Sequence, residues 1–138
     1  MKNMKKLILL FAVALLAVSC QPERTEMRSY NMVASAGQWQ PVVESTGGVY
    51  YACSFSLPDL TRGVFNNGAV LAYIVDGNRQ EPITQARLKT DGTLDWTNTV
   101  EFDYGVGVVN FYYTNSDFEY FASEPGRMEF RVVLIATR

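Results

Sequence analysis

An all-β fold, an antiparallel β-sandwich of seven to eight short strands built in the immunoglobulin-like or jelly-roll manner, follows from three observations on this 138-residue chain. Apolar residues recur with period two in several segments, as half-buried strands require. Clusters of Gly, Asn, Asp and Pro separate those segments with turn chemistry. One stretch, near residues 60–66, has helix signals, and it is long enough for two turns at most. A small closed barrel is the architectural alternative. The length fits a single domain, with no internal repeat and no second unit.

The N-terminus reads as an address. Lys2, Lys5 and Lys6 precede twelve consecutive apolar residues, Leu7 to Val18. A helix needs about 20 residues to span a bilayer, so this run has the length of a signal-peptide core. The small residues Ala17 and Ser19 supply a cleavage site, and Cys20 stands at the cut. Leu16-Ala17-Val18-Ser19-Cys20 resembles the lipobox of bacterial lipoproteins in the looser form common in Bacteroidetes. That resemblance implies removal of residues 1–19 and a lipid on Cys20, with residues 20–28 as a flexible tether and 29–138 as the domain. It also implies a lipid-anchored protein of the cell envelope, at the outer membrane, on either its periplasmic or its surface face. An ordinary secretory signal followed by an unrelated cysteine is the other reading of these residues.

Cleavage changes the charge. It removes three of the 12 basic residues and none of the 14 acidic ones, leaving nine against fourteen and a formal charge of −5. Lys89 is then the one remaining lysine. A nucleic-acid partner needs a basic stripe to neutralise phosphates, and none exists here. The chain has no histidine, which removes Ser-His-Asp and Cys-His catalysis and His-ligated zinc. Two cysteines cannot build a Cys₄ site or a disulfide framework. With Cys20 lipidated, Cys53 has no partner in the chain, and its place in Val49–Leu57 among the odd-numbered apolar residues makes it a small buried hydrophobe.

Taken in order, Tyr30, Met32 and Ala34 alternate with more polar neighbours until Ala36-Gly37 breaks the run. Gln40-Pro41-Val42-Val43 is a second short extended piece, closed by the turn Ser45-Thr46-Gly47-Gly48. In the third strand Val49, Tyr51, Cys53, Phe55 and Leu57 share a face. Asp59 or Thr61 can cap the helical turn, Val64 and Phe65 give it an apolar side, and Asn67-Gly68 stops it. Ala69 to Val75 is apolar at both parities, as in a central strand covered on each side. Asp76-Gly77-Asn78 ends that strand, Pro82-Ile83 opens another, and Asp91-Gly92 marks a hairpin. From Trp96 to Val108 the apolar set is even-numbered, whereas Val109, Phe111 and Tyr113 are odd-numbered. Parity changes only at a turn or a bulge, which places one at Gly105-Val106-Gly107. Residues 115–127 read as a loop, and Met128, Phe130, Val132 and Leu134 form the core face of the last strand.

The block Thr61-Arg62-Gly63-Val64-Phe65-Asn66-Asn67-Gly68-Ala69-Val70-Leu71-Ala72-Tyr73, with Pro82-Ile83, Asp103-Tyr104-Gly105-Val106-Gly107 and Phe130-Arg131-Val132-Val133, resembles small lipoproteins of Bacteroidetes. The resemblance implies a secreted or surface-anchored β-sandwich and carries no catalytic residues over.

After cleavage 17 aromatic residues remain, enough to fill a core with some to spare. Aromatic faces stack on sugar rings, so exposed aromatics point to a glycan. Trp39, set between Gln38 and Gln40 in a turn region, is the first candidate for a ligand-binding aromatic. Tyr112 is the second, because Phe111 and Tyr113 take the inward parity. Trp96 shares parity with Val100 and Phe102 and is expected in the core. Asp95, Glu101, Asp103, Asp117, Glu119 and Glu124 could supply the two carboxylates of a glycoside hydrolase, and Glu101 and Asp103 share a strand face. A solvated strand face explains the same alternation. Asp76-Gly77-Asn78 and Asp91-Gly92 hold oxygen ligands without the spacing of a calcium loop. The sequence therefore predicts a non-catalytic binding or interaction module with no metal and no cofactor. Its partners are a membrane through the lipid and an envelope protein or a glycan; a carboxylate-based hydrolase is the remaining alternative.

Overall fold

The computed structural model describes residues 25–45, 47–83, 85–90, 95–115 and 125–137. The expected signal peptide, Cys20, the Asp91-Gly92 turn, most of the 115–127 loop and the side chain of Trp96 lie outside the described residues.

Two antiparallel sheets form the fold. One contains β1 (Thr25–Ala34), β9 (Met128–Thr137), β4 (Ala69–Asp76) and β5 (Arg79–Pro82), in that order. The other runs β2 (Gln40–Val43), β3 (Val49–Ser56), β8 (Val108–Asn115), β7 (Asp95–Gly105) and β6 (Gln85–Thr90). The segment expected from Pro82 to Lys89 is divided: β5 ends at Pro82 beside β4, and β6 belongs to the opposite sheet. One short helix, α1 (Arg62–Asn67), sits in the connection from β3 to β4.

Period two sorts the side chains. Met32 and Ala34 of β1, Val70, Ala72 and Ile74 of β4, and Phe130, Val132 and Leu134 of β9 are buried from one sheet. Cys53, Val100, Val109 and Phe111 are buried from the other. Phe111 and Phe130 meet between the layers with ring centroids 3.9 Å apart and planes 7° from parallel. Both are fully buried, so this pair joins the two sheets at the centre of the core. The parity change at Gly105-Val106-Gly107 is a hairpin, with Gly105 paired to Val108 and Gly107 at φ 80°.

The ends of the sandwich differ. At one pole Thr25 pairs with Thr137, and Ala69 and the β7–β8 hairpin lie at the same end. Leu57 and Leu60 are buried there. The Leu57 N–H donates to the Gly107 carbonyl and the Gly107 N–H to the Leu60 carbonyl, each at 2.8 Å, which ties the helix approach to the hairpin. Thr61 caps α1, its hydroxyl accepting from the Val64 N–H at 3.4 Å. Gly68 ends α1 in extended backbone, donating to the Val64 carbonyl. A Cβ on Gly68 would lie 2.3 Å from the Ile135 carbonyl oxygen, so only glycine lets the helix end this close to β9.

Two expectations are corrected. The tether does not extend to Arg28: β1 begins at Thr25, because its backbone pairs with β9 despite polar side chains. β4 is not covered on both sides: Leu71 is 41% exposed, so its odd-numbered apolar residues face outward while the even-numbered ones fill the core. On the apolar side of α1, Phe65 is 44% exposed and rests edge-on against Tyr104, with centroids 5.9 Å apart.

Candidate ligand face

The hairpin that reverses parity also builds a polar surface. With Phe102 and Tyr104 turned inward on β7, Glu101 and Asp103 face outward. With Val109 and Phe111 inward on β8, Asn110 and Tyr112 face outward beside them. Register sets Glu101 opposite Tyr112 and Asp103 opposite Asn110, while Ser54 of β3 lies opposite Asn110 on the other side. Tyr50 is the diagonal neighbour of Tyr112 across β3 and β8.

These side chains form a chain of hydrogen bonds across three strands. The Ser54 hydroxyl donates to Asn110 Oδ1 at 2.7 Å, and Asn110 Nδ2 donates to Asp103 Oδ1 at 2.6 Å. The Tyr112 hydroxyl donates to Asp103 Oδ2 at 2.8 Å. Tyr50 and Tyr112 meet edge to face, with centroids 5.9 Å apart at 71°. Partial burial, then the Asp103 carboxylate, push the Tyr112 phenol up to about 12, so the phenol stays protonated as a donor. Both Asp103 oxygens hold donors, and neither Asp103 nor Glu101 lines either of the two cavities described below.

Trp39, the other candidate aromatic, is not on this face or any other. It is 2% exposed, with its ring 6.2 Å and near-perpendicular to Phe130 and 6.4 Å from Tyr113. Its polar neighbours Gln38 and Gln40 are exposed, but the connection from β1 to β2 turns the indole into the layer between the sheets. The expectation of a surface stacking platform at Trp39 is therefore corrected: apolar area of that size is held in the core. Its Nε1–H is buried and finds no acceptor among the described residues. Cys53 is 4% exposed, and burial pushes its thiol up, away from the reactive thiolate.

A second cluster, at the pole where β1 begins, was hidden from the sequence because its members lie far apart. Arg28 Nη1 meets Asp59 Oδ2 at 3.1 Å, and the Tyr30 hydroxyl donates to the same oxygen. Arg28 also reaches Glu26 at 3.5 Å. The Tyr30 hydroxyl, then Arg28, hold the Asp59 carboxyl below its ordinary range. Glu26, Arg28 and Asp59 line a cavity of about 240 Å³ with Thr61, Gly63, Val64, Leu134 and Ala136. At the opposite pole Asp76, Gly77, Arg127 and Glu129 line a shallower hollow of about 380 Å³ beside the β4–β5 turn, where Gly77 takes φ 56°. Among the described residues no three His, Cys, Asp or Glu side chains converge as metal ligands.

No protein-family model, curated protein or solved structure matches this chain.

Proposed function

We propose that this chain is a lipid-anchored protein of the cell envelope that works as a non-catalytic binding module, with the outer face of the five-stranded sheet as its ligand surface. The observation that carries the ligand surface is the Ser54–Asn110–Asp103–Tyr112 network with Tyr50 packed beside it. An open sheet face suits binding better than turnover, because it encloses no reacting group and excludes no water. Aromatic edges beside hydroxyl, amide and carboxylate groups suit a polyhydroxylated ligand, which favours a glycan and moves that reading from Trp39 to Tyr112. The anchor rests on the tripartite N-terminus and Cys20.

A second reading is favoured by β1. It is an edge strand of ten residues with no proline, paired on one side to β9 without a break in register. Such an edge can accept a strand from an envelope protein.

Two measurements test the proposal. Tyr112→Ala and Tyr50→Ala are expected to lose retention by an immobilised polysaccharide panel while remaining folded at the assay temperature. Retention equal to wild type on every polysaccharide that holds the native protein would remove the glycan reading. For the anchor, Cys20→Ala is expected to move the protein out of the detergent phase; persistence there would overturn it.

A further inference from the structure

We infer that the pole of the sandwich where β1 begins is a membrane-contact surface, seated on the bilayer that holds the lipid anchor. The inference rests on the anchor reading above and adds an orientation to it. Four residues, 21–24, separate Cys20 from Thr25, the first residue of β1. A chain of that length spans roughly 18 Å at full extension. The ten residues of β1 run about 33 Å toward the other pole. The anchor therefore keeps one particular end of the domain next to the bilayer.

That end carries apolar side chains where solvent contact is costly. Met27 is 70% exposed, Val106 47% and Phe65 44%. Met27 sits on β1 opposite Ile135, two residues from the start of the strand. Val106 is in the β7–β8 turn, and Phe65 on α1 packs against Tyr104 one residue before that turn begins. Phe65 and Val106 come from separate elements, yet the Leu57–Gly107 and Gly107–Leu60 hydrogen bonds lock the hairpin to the helix approach. The cavity lined by Val64, Arg28 and Ala136 places α1 against the inward side of β1 and β9, while Met27, of opposite parity, projects from the outer side of the same sheet end. Apolar side chains held this way on a rigid end can enter the headgroup boundary together, each contributing through the area it buries.

Charge at this pole is partly matched: Arg28 pairs with both Glu26 and Asp59, and Asp103, two residues before the β7–β8 turn, holds its carboxylate in hydrogen bonds from Asn110 and Tyr112. With the pole on the bilayer, the strands stand away from it and the Tyr50–Tyr112 face stays open to the side.

The test uses the full lipidated protein in phosphatidylcholine vesicles whose acyl chains carry bromine, with single tryptophans introduced as Phe65→Trp, Val106→Trp and, at the far end of β2, Val43→Trp. Each variant is first checked for an unchanged melting temperature. Emission in excess of that of the unsubstituted protein, whose Trp39 and Trp96 give the background, is expected to fall about twofold or more at positions 65 and 106, which enter the acyl boundary, and to stay level at position 43. Two results would overturn the inference while leaving the anchor intact: no quenching at 65 and 106 in protein that floats with the vesicles, or equal quenching at 43. Failure to float with the vesicles would overturn the anchor and the pole contact together.

Discussion

Trp39 and Tyr112 belong to opposite sides of one sheet, and the contrast between them explains how this protein divides its aromatics. Trp39 is enclosed by Phe130 and Tyr113 between the layers, with no acceptor for its N–H among the described residues. Tyr112 is half-buried on the outside, its hydroxyl held by Asp103 and its ring by Tyr50. The first stabilises by area removed from water; the second has a fixed polar group presented at a surface. A large aromatic in a polar stretch of sequence is thus no guide to exposure, and an aromatic in a strand is not necessarily core.

The contrast breaks if the two positions respond alike to truncation. Trp39→Ala is expected to cost about 3–5 kcal/mol of unfolding free energy by denaturant titration, as large aromatics in close-packed cores do. Tyr112→Ala is expected to cost far less, and a loss as large as that of Trp39→Ala would show that the outer face is part of the core. Gly68→Ala tests the interior where backbone approaches backbone. Its Cβ would meet the Ile135 and Val64 carbonyl oxygens, so it should destabilise by about 1–3 kcal/mol through overpacking, read as a lowered melting temperature.

Smaller effects sharpen the comparison. Trp39→Phe is expected to cost less than Trp39→Ala, because it keeps an aromatic ring in the core and leaves a smaller void, while both remove an N–H that has no acceptor among the described residues. A Phe cost equal to the Ala cost would show that ring packing against Phe130 and Tyr113 contributes nothing. Tyr112→Phe removes only the bond to Asp103 and should cost about 1 kcal/mol. The same substitution has a pH signature. The Tyr112 phenol is raised in the folded state from 10 to about 12, so its contribution is complete below pH 10 and is lost as pH rises toward 12. Wild type should therefore lose denaturant resistance across that interval more steeply than Tyr112→Phe. The smallest effect belongs to Asp59, held below its ordinary value of 3.8 by Tyr30 and Arg28. Its contribution is present above that value and disappears as pH falls through the depressed one, so Asp59→Asn should slightly flatten acid unfolding.

Much of the strand pattern is local and was legible in the residues. The alternation at Met32 and Ala34, the odd set beginning at Val109 and the even set from Phe130 each mark a core face that the structure reproduces, as does the even set from Val100 to Tyr104, whereas Val106 of that set is exposed in the turn. Period two is a property of the extended backbone, so it needs no partner to be read. The position of Thr61 as helix cap and Gly68 as terminator is local in the same way. Cys53 followed from its parity.

Other features depend on which strands become neighbours. Trp39 lies outside any strand, so parity says nothing about it, and its burial is decided by Tyr113 and Phe130, far along the chain. β4 carries apolar residues at both parities, and only the sheet order shows that Leu71 faces outward. Arg28 read as tether until β9 paired with it and Asp59 approached. The sequence by itself determined the all-β class, the faces of the alternating strands and a parity break at 105–107, because backbone period and turn chemistry act within a few residues. Only the tertiary structure decided that Tyr112 meets Asp103 and Tyr50 on an open face while Trp39 does not, because register between distant strands determines which side chains share a surface.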